Sequence, residues 1–278
     1  MISRPAFSPA DELQRCCEML AKYWILAVPP ALASLLIVGV VFATILTVVG
    51  SALAGGLLGG GHPGAGAGIG IGIGALVGLG GMLLGFVALN VAQAVTMHAS
   101  LDAFADRKPD LGASFRAVLP RLGDLAVSMV ATFLILLVPF VLCFVLIGIP
   151  LVIVAIFFTL YVQAAVIIGG EDGIGAIRTS IRLATQHVTQ TVILALGVIA
   201  ASIVGSFANT LVVHIPLVNL VAGFAIGGLT SAFVAMATAR FYDVLRDMPP
   251  QSTITYAPPP PPPPPQATDY GGPPTIIR

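Results

Sequence analysis

Residues 125–168 read LAVSMVATFLILLVPFVLCFVLIGIPLVIVAIFFTLYVQAAVII, without a single Asp, Glu, Lys or Arg. One membrane-spanning helix needs only about 20 apolar residues, so these 44 residues are enough to cross a bilayer twice. Gly148-Ile149-Pro150 is the natural turn, since Gly adopts turn conformations and Pro interrupts a helix. The run therefore predicts two spans, 125–147 and 151–168, with a kink at Pro139.

Outside this run, the charged residues are confined to four short segments. The acidic residues occupy the same segments as the basic ones, so each segment is formally neutral. The connectors between the segments, 50–68, 148–150 and 212–219, contain no Lys or Arg. Because Lys and Arg in short loops mark the cytoplasmic side, the pattern predicts six crossings with both termini in the cytoplasm. The basic residues are Arg4, Arg15 and Lys22; Arg107, Lys108, Arg116 and Arg121; Arg178 and Arg182; and Arg240, Arg246 and Arg278.

The composition supports an all-α, polytopic membrane helix bundle. Hydrophobic residues make up 57% of the chain and charged residues only 9%, with a mean hydropathy of +1.02, whereas a soluble domain carries about 25% charged residues. We expect the protein in the plasma membrane, a bacterial inner membrane, in contact with its lipids. The predicted parts are an N-terminal interfacial helix in 1–23, a six-helix transmembrane domain in 24–241 with spans at 24–49, 71–98, 125–147, 151–168, 188–211 and 217–239, and a disordered proline-rich cytoplasmic tail in 242–278.

Three segments beside spans have apolar residues at helical spacing: 9–22, 111–122 and 174–187. We expect each to form an amphipathic helix on the inner membrane surface. The first opens with Ser8-Pro9-Ala10-Asp11, a pattern typical of a helix N-terminus, and Pro29-Pro30 then predicts a kink near the start of the first span. The order of interfacial helix, span, outer turn and span recurs three times. This order is consistent with one unit repeated three times, and the constraints that a membrane places on any such chain would produce the same pattern without a repeat.

The tail contains eight consecutive prolines, 258–265. Such a run forms an extended polyproline helix that cannot pack a core. Polyproline docks on aromatic grooves, so a protein partner for the tail is one interpretation, and a solvated spacer is the other.

Small residues four apart predict where spans pack, because they let two helix backbones approach closely. The second span carries Gly70, Gly74 and Gly78. A longer stripe on the sixth span should pack against another helix, and the second span is one candidate partner. The predicted helix-packing residues are Gly70, Gly74, Gly78, Gly223, Gly227, Ser231, Ala235 and Ala239.

No motif in the sequence predicts catalysis, a cofactor or a metal site. No Asp, Glu, Lys or Arg lies deep in a span, and a G-x-G-x-x-G match at 59–64 contains Pro63 and follows no strand. Neutral charged segments argue against a nucleic-acid surface. The polar residues inside spans are amides and hydroxyls, which predict interhelical hydrogen bonds or, alternatively, a polar substrate path. They are Asn90, Gln93, Thr132, Gln163, Ser202, Ser206 and Asn209.

One loop carries a resemblance to a known group. Residues 171–183, EDGIGAIRTSIRL, resemble an acidic residue followed by Ala-Leu-x-x-Ser and Leu in six-span prokaryotic membrane proteins, with Ile177 at the Leu position. That group includes the membrane domain of glycerophosphoryl diester phosphodiesterase. Residues 106–111 with Arg116 and Arg121 resemble its earlier loop. The catalytic domain is absent from this sequence, so the resemblance implies a fold and a location rather than an activity.

Two functions are therefore expected. The first is a non-enzymatic integral membrane protein with a scaffold, assembly or lipid-contacting role. The second is a transporter or permease for a neutral or lipid-like solute. A dry interior packed by Gly and Ala would favour the first, and a polar cavity lined by Asn90, Gln93, Gln163 and Asn209 would favour the second. The sequence contains no signal for an oligomeric state.

Overall fold

The computed structural model describes residues 7–58, 65–143, 148–212 and 216–249. These residues form an all-α fold without any strand among them. A 3-10 turn at Trp24–Ala27, another at Leu119–Arg121 and a π-helical turn at Ala165–Gly169 connect some of the helices. The helices are α1 Pro9–Lys22, α2 Val28–Leu58, α3 Ala65–Phe104, α4 Leu111–Val118, α5 Leu122–Leu142, α6 Gly148–Thr159, α7 Val162–Ala164, α8 Gly173–Gln186, α9 Val188–Val212 and α10 Pro216–Arg246.

Six helical segments of the described chain are long and apolar enough to cross a membrane. This confirms the six-span bundle that the charge pattern predicts. The segments are Trp24–Gly50, Gly78–Phe104, Leu111–Leu142, Gly148–Gly169, Val188–Leu211 and Val221–Arg246.

The starts of the amphipathic helices follow from local capping. Ser8 Oγ accepts a hydrogen bond from Asp11 N at 3.5 Å, as the sequence predicts. Asp110, which the sequence reading did not identify, caps α4 by accepting from the backbone nitrogens of Gly112 and Ala113 at 2.9 and 3.0 Å. In α2 the predicted proline kink is replaced by a helix start at Val28. Pro29-Pro30 therefore occupies the first turn, where the missing N–H costs no helical hydrogen bond.

Several helix ends differ from the prediction. Helix α2 continues to Leu58 and α3 begins at Ala65, so helix fills most of the connector expected at 50–68. Residues 148–150, expected to form a turn, are instead the first turn of α6, where Pro150 is tolerated. Helix α10 continues to Arg246 rather than ending at 239. Its last turns are held by burial of Tyr242 and Leu245. The polyproline run and residues 59–64 lie outside the described residues.

The described parts of the four charged segments, which lie within residues 7–249, meet at one end of the bundle, as the alternating charge pattern requires. Two ion pairs and a side-chain to backbone bond join segments that are far apart in sequence. They are Lys22 Nζ to Asp106 Oδ1 at 3.1 Å, Arg240 Nε to Glu12 Oε2 at 2.8 Å, and Arg121 Nη1 to the Val166 carbonyl at 2.7 Å.

The tightly packed core lies toward this charged end. Leu26, Tyr161, Leu194 and Phe241 are fully buried there. Toward the other end, the helices expose large apolar side chains such as Phe207 on α9. Such a surface suits contact with lipid tails, which are as apolar as the side chains themselves. The described residues are therefore packed more tightly toward the charged end than toward the opposite one.

Candidate functional site

Two polar side chains on α3 form hydrogen bonds with neighbouring helices. Gln93 shares one face of α3 with the second of them, Asn90, because residues three apart on a helix are neighbours. Gln93 Nε2 donates to Ser231 Oγ on α10 at 3.2 Å. Asn90 donates from Nδ2 to the Phe86 carbonyl at 2.7 Å and accepts from Gln163 Nε2 through Oδ1. These bonds tie α3 to α10 on one side and to α7 on the other.

An inner cleft of about 300 Å³ lies between α3, α5 and the α6–α7 region. Its apolar wall includes Phe86, Met129 and Phe133. The polar side chains that line it are Asn90, Gln93, Ser128, Thr132, Thr159 and Gln163.

An outer cleft of about 400 Å³ lies between α3, α9 and α10. Glycines at 205, 223 and 227 leave room for it on the two long helices. Its polar lining consists of Gln93, Ser202, Ser206, Asn209, Thr230 and Ser231. Gln93 is the one residue whose side chain lines both clefts.

The two clefts overlap in depth. At a helical rise of about 1.5 Å per residue, the inner cleft extends along α5 from Ser128, about 6 Å from Asp124 at the charged end, to Leu136, about 18 Å from it. The outer cleft extends along α10 from Val234, about 9 Å from Arg240 at the charged end, to Gly223, about 26 Å from it. The outer cleft therefore reaches farther from the charged end, and Gln93 lies where the two clefts overlap.

The chemistry of both clefts is neutral. Among the described residues, neither lining contains an Asp, Glu, Lys, Arg or His residue. The hydroxyls of Ser128, Thr159 and Ser202 donate to carbonyls of their own helices at 2.8 to 2.9 Å. Their oxygens keep lone pairs that can accept from a guest molecule. Amide side chains supply donors as well as acceptors, so the clefts suit a guest with hydroxyl or amide groups and no charge.

One glycine-bearing face of α3 contacts α2. A Cβ at the predicted packing residue Gly78 would lie 3.0 Å from Thr44 Cγ2, and one at Gly85 would lie 2.6 Å from Ile37 Cγ1. This face of α3 therefore packs on α2. Nothing is described of the surroundings of Gly70 and Gly74.

The stripe on α10 divides into three parts. Ala235 and Ala239 are buried in the core at the charged end, and Ser231 bonds to Gln93. Gly223 lies near Asn209, and both glycines of the stripe line the outer cleft. A Cβ at Gly227 would have no neighbour within 4 Å, so Gly227 is not at a helix contact. The close approach falls one residue later, since a Cβ at Gly228 would lie 2.7 Å from Ala31 Cβ on α2.

A second polar group lies outside both clefts and was not found by sequence reasoning. His187, at the junction of α8 and α9, is fully buried. Both of its ring nitrogens and Gln190 Oε1 lack hydrogen-bond partners within the described part of the chain. Burial lowers the pKa of His187 below its ordinary value. Its position at an inner span end gave no signal of this burial. The described residues contain no cluster of side chains that could hold a metal ion.

The chain matches no known protein family, no curated protein and no solved structure.

Proposed function

We propose that this integral membrane protein is a non-enzymatic transporter for an uncharged, hydrogen-bonding solute. The observation that supports the proposal is the position of Gln93, which lines two polar clefts of one bundle, one toward α5 and the other toward α9 and α10. The four amides that would favour a transporter, Asn90, Gln93, Gln163 and Asn209, all line these clefts. A scaffold alone has no need of two polar clefts.

In the proposed cycle, the solute occupies one cleft at a time. The Gln93–Ser231 hydrogen bond separates the outer cleft from the inner one, and rotation of the Gln93 side chain would connect the two clefts. A solute hydroxyl can replace the amide and hydroxyl partners that the clefts offer. An ion has no opposite charge to pair with there, and burying an unpaired charge costs far more than burying a hydroxyl.

The test is cysteine accessibility in the full-length chain, reconstituted in lipid vesicles. The native cysteines are first replaced by alanine at positions 16, 17 and 143. A membrane-impermeant thiosulfonate reagent is then added on one side of the membrane. Ser206→Cys should react from the side of the uncharged end and Thr132→Cys from the side of the charged end, because each faces a cleft that water can enter.

Matched controls lie on the same helices. Phe207 and Val138 are 67% and 62% exposed on the lipid-facing surface, so Phe207→Cys and Val138→Cys should stay unlabelled. Equal protection of Ser206→Cys and Thr132→Cys would mean a dry interior. The scaffold function would then be favoured and the transporter proposal would fail.

Orientation and membrane type complete the proposal. We place the charged end on the cytoplasmic side of a plasma membrane, because Lys and Arg in short loops stay there. The resemblance to the membrane domain of glycerophosphoryl diester phosphodiesterase and a protein partner for the polyproline tail stay predictions.

A further inference from the structure

The inner cleft continues into an apolar groove on the surface of the bundle. This groove, of about 400 Å³, lies between α3 and α5. It shares Phe86, Met129 and Phe133 with the lining of the inner cleft, so the polar cleft and the apolar groove are neighbours along one wall. The rest of its lining is Leu79, Met82, Leu83, Val87, Ala126 and Val130.

The groove opens toward lipid. Leu79, Leu83 and Val130 are 70%, 66% and 60% exposed. The described part of its lining has no charged or hydroxyl-bearing side chain, whereas the adjoining cleft is lined by amides and hydroxyls. Together they form one amphiphilic site, polar at the inner end and apolar where it meets the hydrocarbon.

The polar cleft and the apolar groove lie side by side. On α3 the groove extends to Leu79, which is 11 residues, or about 16 Å at 1.5 Å per residue, farther from the charged end than Asn90. On α5 it extends to Ala126, which is nearer to the charged end than Ser128 of the cleft. A lipid in the leaflet at the charged end can therefore contact the polar cleft with its head group and the groove with its tail.

We infer that the occupant of the inner cleft is an uncharged lipid with a hydroxyl-bearing head group, of the diacylglycerol class. The inference rests on the proposed function and names its substrate. The head group hydroxyl bonds to the amides of Asn90 and Gln163 and to Thr132, and one acyl chain lies in the groove between α3 and α5. The lipid enters sideways from the bilayer.

The absence of cations from the lining selects against phospholipids. A phosphate buried here would lack the Arg or Lys partner that such a charge needs. Arg121, at the nearby start of α5, donates its Nη1 hydrogens to the carbonyls of Val166 and Ile167 instead. A water-soluble polyol would satisfy the amides, but it would leave the apolar groove without an occupant.

The outer cleft also adjoins a largely apolar groove. This groove lies between α1, α9 and α10 and shares Gly205, Ile226 and Thr230 with the outer cleft. Leu13, Gln14 and Cys17 of α1, at the charged end, line it as well. Both grooves therefore reach the leaflet at the charged end.

The test uses photolabelling of the full-length protein in phosphatidylcholine vesicles. One probe is a diacylglycerol with a diazirine in one acyl chain, and the other is a phosphatidylglycerol with the same chain. Diacylglycerol should label the segment that contains Met129 and Phe133 at least about tenfold more strongly, because the phosphate would be buried without a cation.

Two variants examine the head-group contacts. Thr132→Val keeps the side-chain shape and removes the hydroxyl, and Gln163→Leu removes the amide. Each should lower diacylglycerol labelling by about fivefold, the effect of losing one hydrogen bond. Val138→Thr, on the lipid-facing side of α5, should leave labelling unchanged. Thr132→Val also answers the question if Gln163→Leu fails to fold.

Each outcome has a separate meaning. Equal labelling by the two lipids would show ordinary lipid contact and overturn the inference. Weak labelling by diacylglycerol, together with reactive cysteines at 132 and 206, would overturn the lipid substrate and leave the transporter proposal standing. Weak labelling with protected cysteines would remove both.

Discussion

Substituting Gly85 by alanine should force α2 and α3 apart. An ideal Cβ at Gly85 would lie 2.6 Å from Ile37 Cγ1, and 3.5 and 3.6 Å from Ile37 Cβ and Cα. Carbon atoms attract each other best at about 3.5–4.0 Å, so about 1 Å of extra separation is needed. Rotation of the Ile37 side chain relieves little of this clash, because a β-branched residue in a helix has one strongly preferred χ1 rotamer.

The expected cost follows from two opposing effects. Inserting a methyl group into a packed contact costs about 1–3 kcal/mol. Replacing Gly by Ala within a helix recovers up to about 1 kcal/mol of helix propensity. Gly80→Ala is the matched control, because a Cβ at Gly80 has no neighbour within 4 Å. The difference in unfolding free energy between the two variants should therefore be about 1–3 kcal/mol, with Gly85→Ala the less stable.

The assay is reversible unfolding in mixed detergent micelles, followed by circular dichroism. Adding Ile37→Ala to Gly85→Ala removes the clashing atoms, so the double variant should lose less stability than the sum of the two single losses. Equal stabilities for Gly85→Ala and Gly80→Ala, with no coupling to Ile37→Ala, would refute the packing of this face of α3 against α2.

Three further predictions concern the charged end. Arg240→Met leaves Glu12, whose side chain is only 16% exposed, without its ion-pair partner. Unfolding titrations should show that the free energy of unfolding falls by about 1–3 kcal/mol, and adding Glu12→Gln should restore part of it. Because burial lowers the pKa of His187, this residue takes up a proton in the unfolded chain before it does in the folded chain as the pH falls below about 6.5. The free energy of unfolding should therefore drop on acidification. A His187→Phe variant that keeps the same drop would contradict a role of His187 in this pH dependence. Burial raises the pKa of the Cys16 thiol to about 12. Maleimide labelling at neutral pH, read by mass spectrometry, should therefore modify the exposed Cys17 and leave Cys16 unmodified. A label on both cysteines would argue against the burial of Cys16.

The number of spans could be predicted from sequence because it depends on one-dimensional quantities. Apolar length and the positions of Lys and Arg decide where the chain crosses a bilayer. Helix ends were harder to predict. Helix α10 passes its expected end because Tyr242 and Leu245 are buried against other helices, and burial against distant elements leaves no local signal. The extension of α2 to Leu58 runs through Gly55 and Gly56, which favour turns in water but are tolerated in membrane helices.

The candidate site was also predictable from the sequence only in part. The amides and hydroxyls that the sequence analysis names all line the clefts, because polar side chains are rare in such segments. The list did not include Ser128, Thr159 and Thr230, which also line them. Spacing alone could not reveal which helix each small residue faces. On α10 the stripe with period four contains Gly227, yet the close contact with α2 uses its neighbour Gly228. That choice depends on the rotation of the helix in the bundle, which is set by all its neighbours together.

The two interpretations of the buried amides, interhelical bonding and a polar path, are compatible in this bundle. Gln93 bonds to Ser231 across helices, and Gln163 bonds to Asn90, while the same side chains line the clefts. Interhelical hydrogen bonds in membrane proteins contribute only about 0.6 kcal/mol on average. A guest hydroxyl that replaces one of them therefore loses little packing energy and leaves no polar group unpaired. An ion would gain no such compensation, because the clefts offer it dipoles and no opposite charge. In the proposed function, the hydrogen bonds between the helices are thus ones that an uncharged guest would exchange near Gln93.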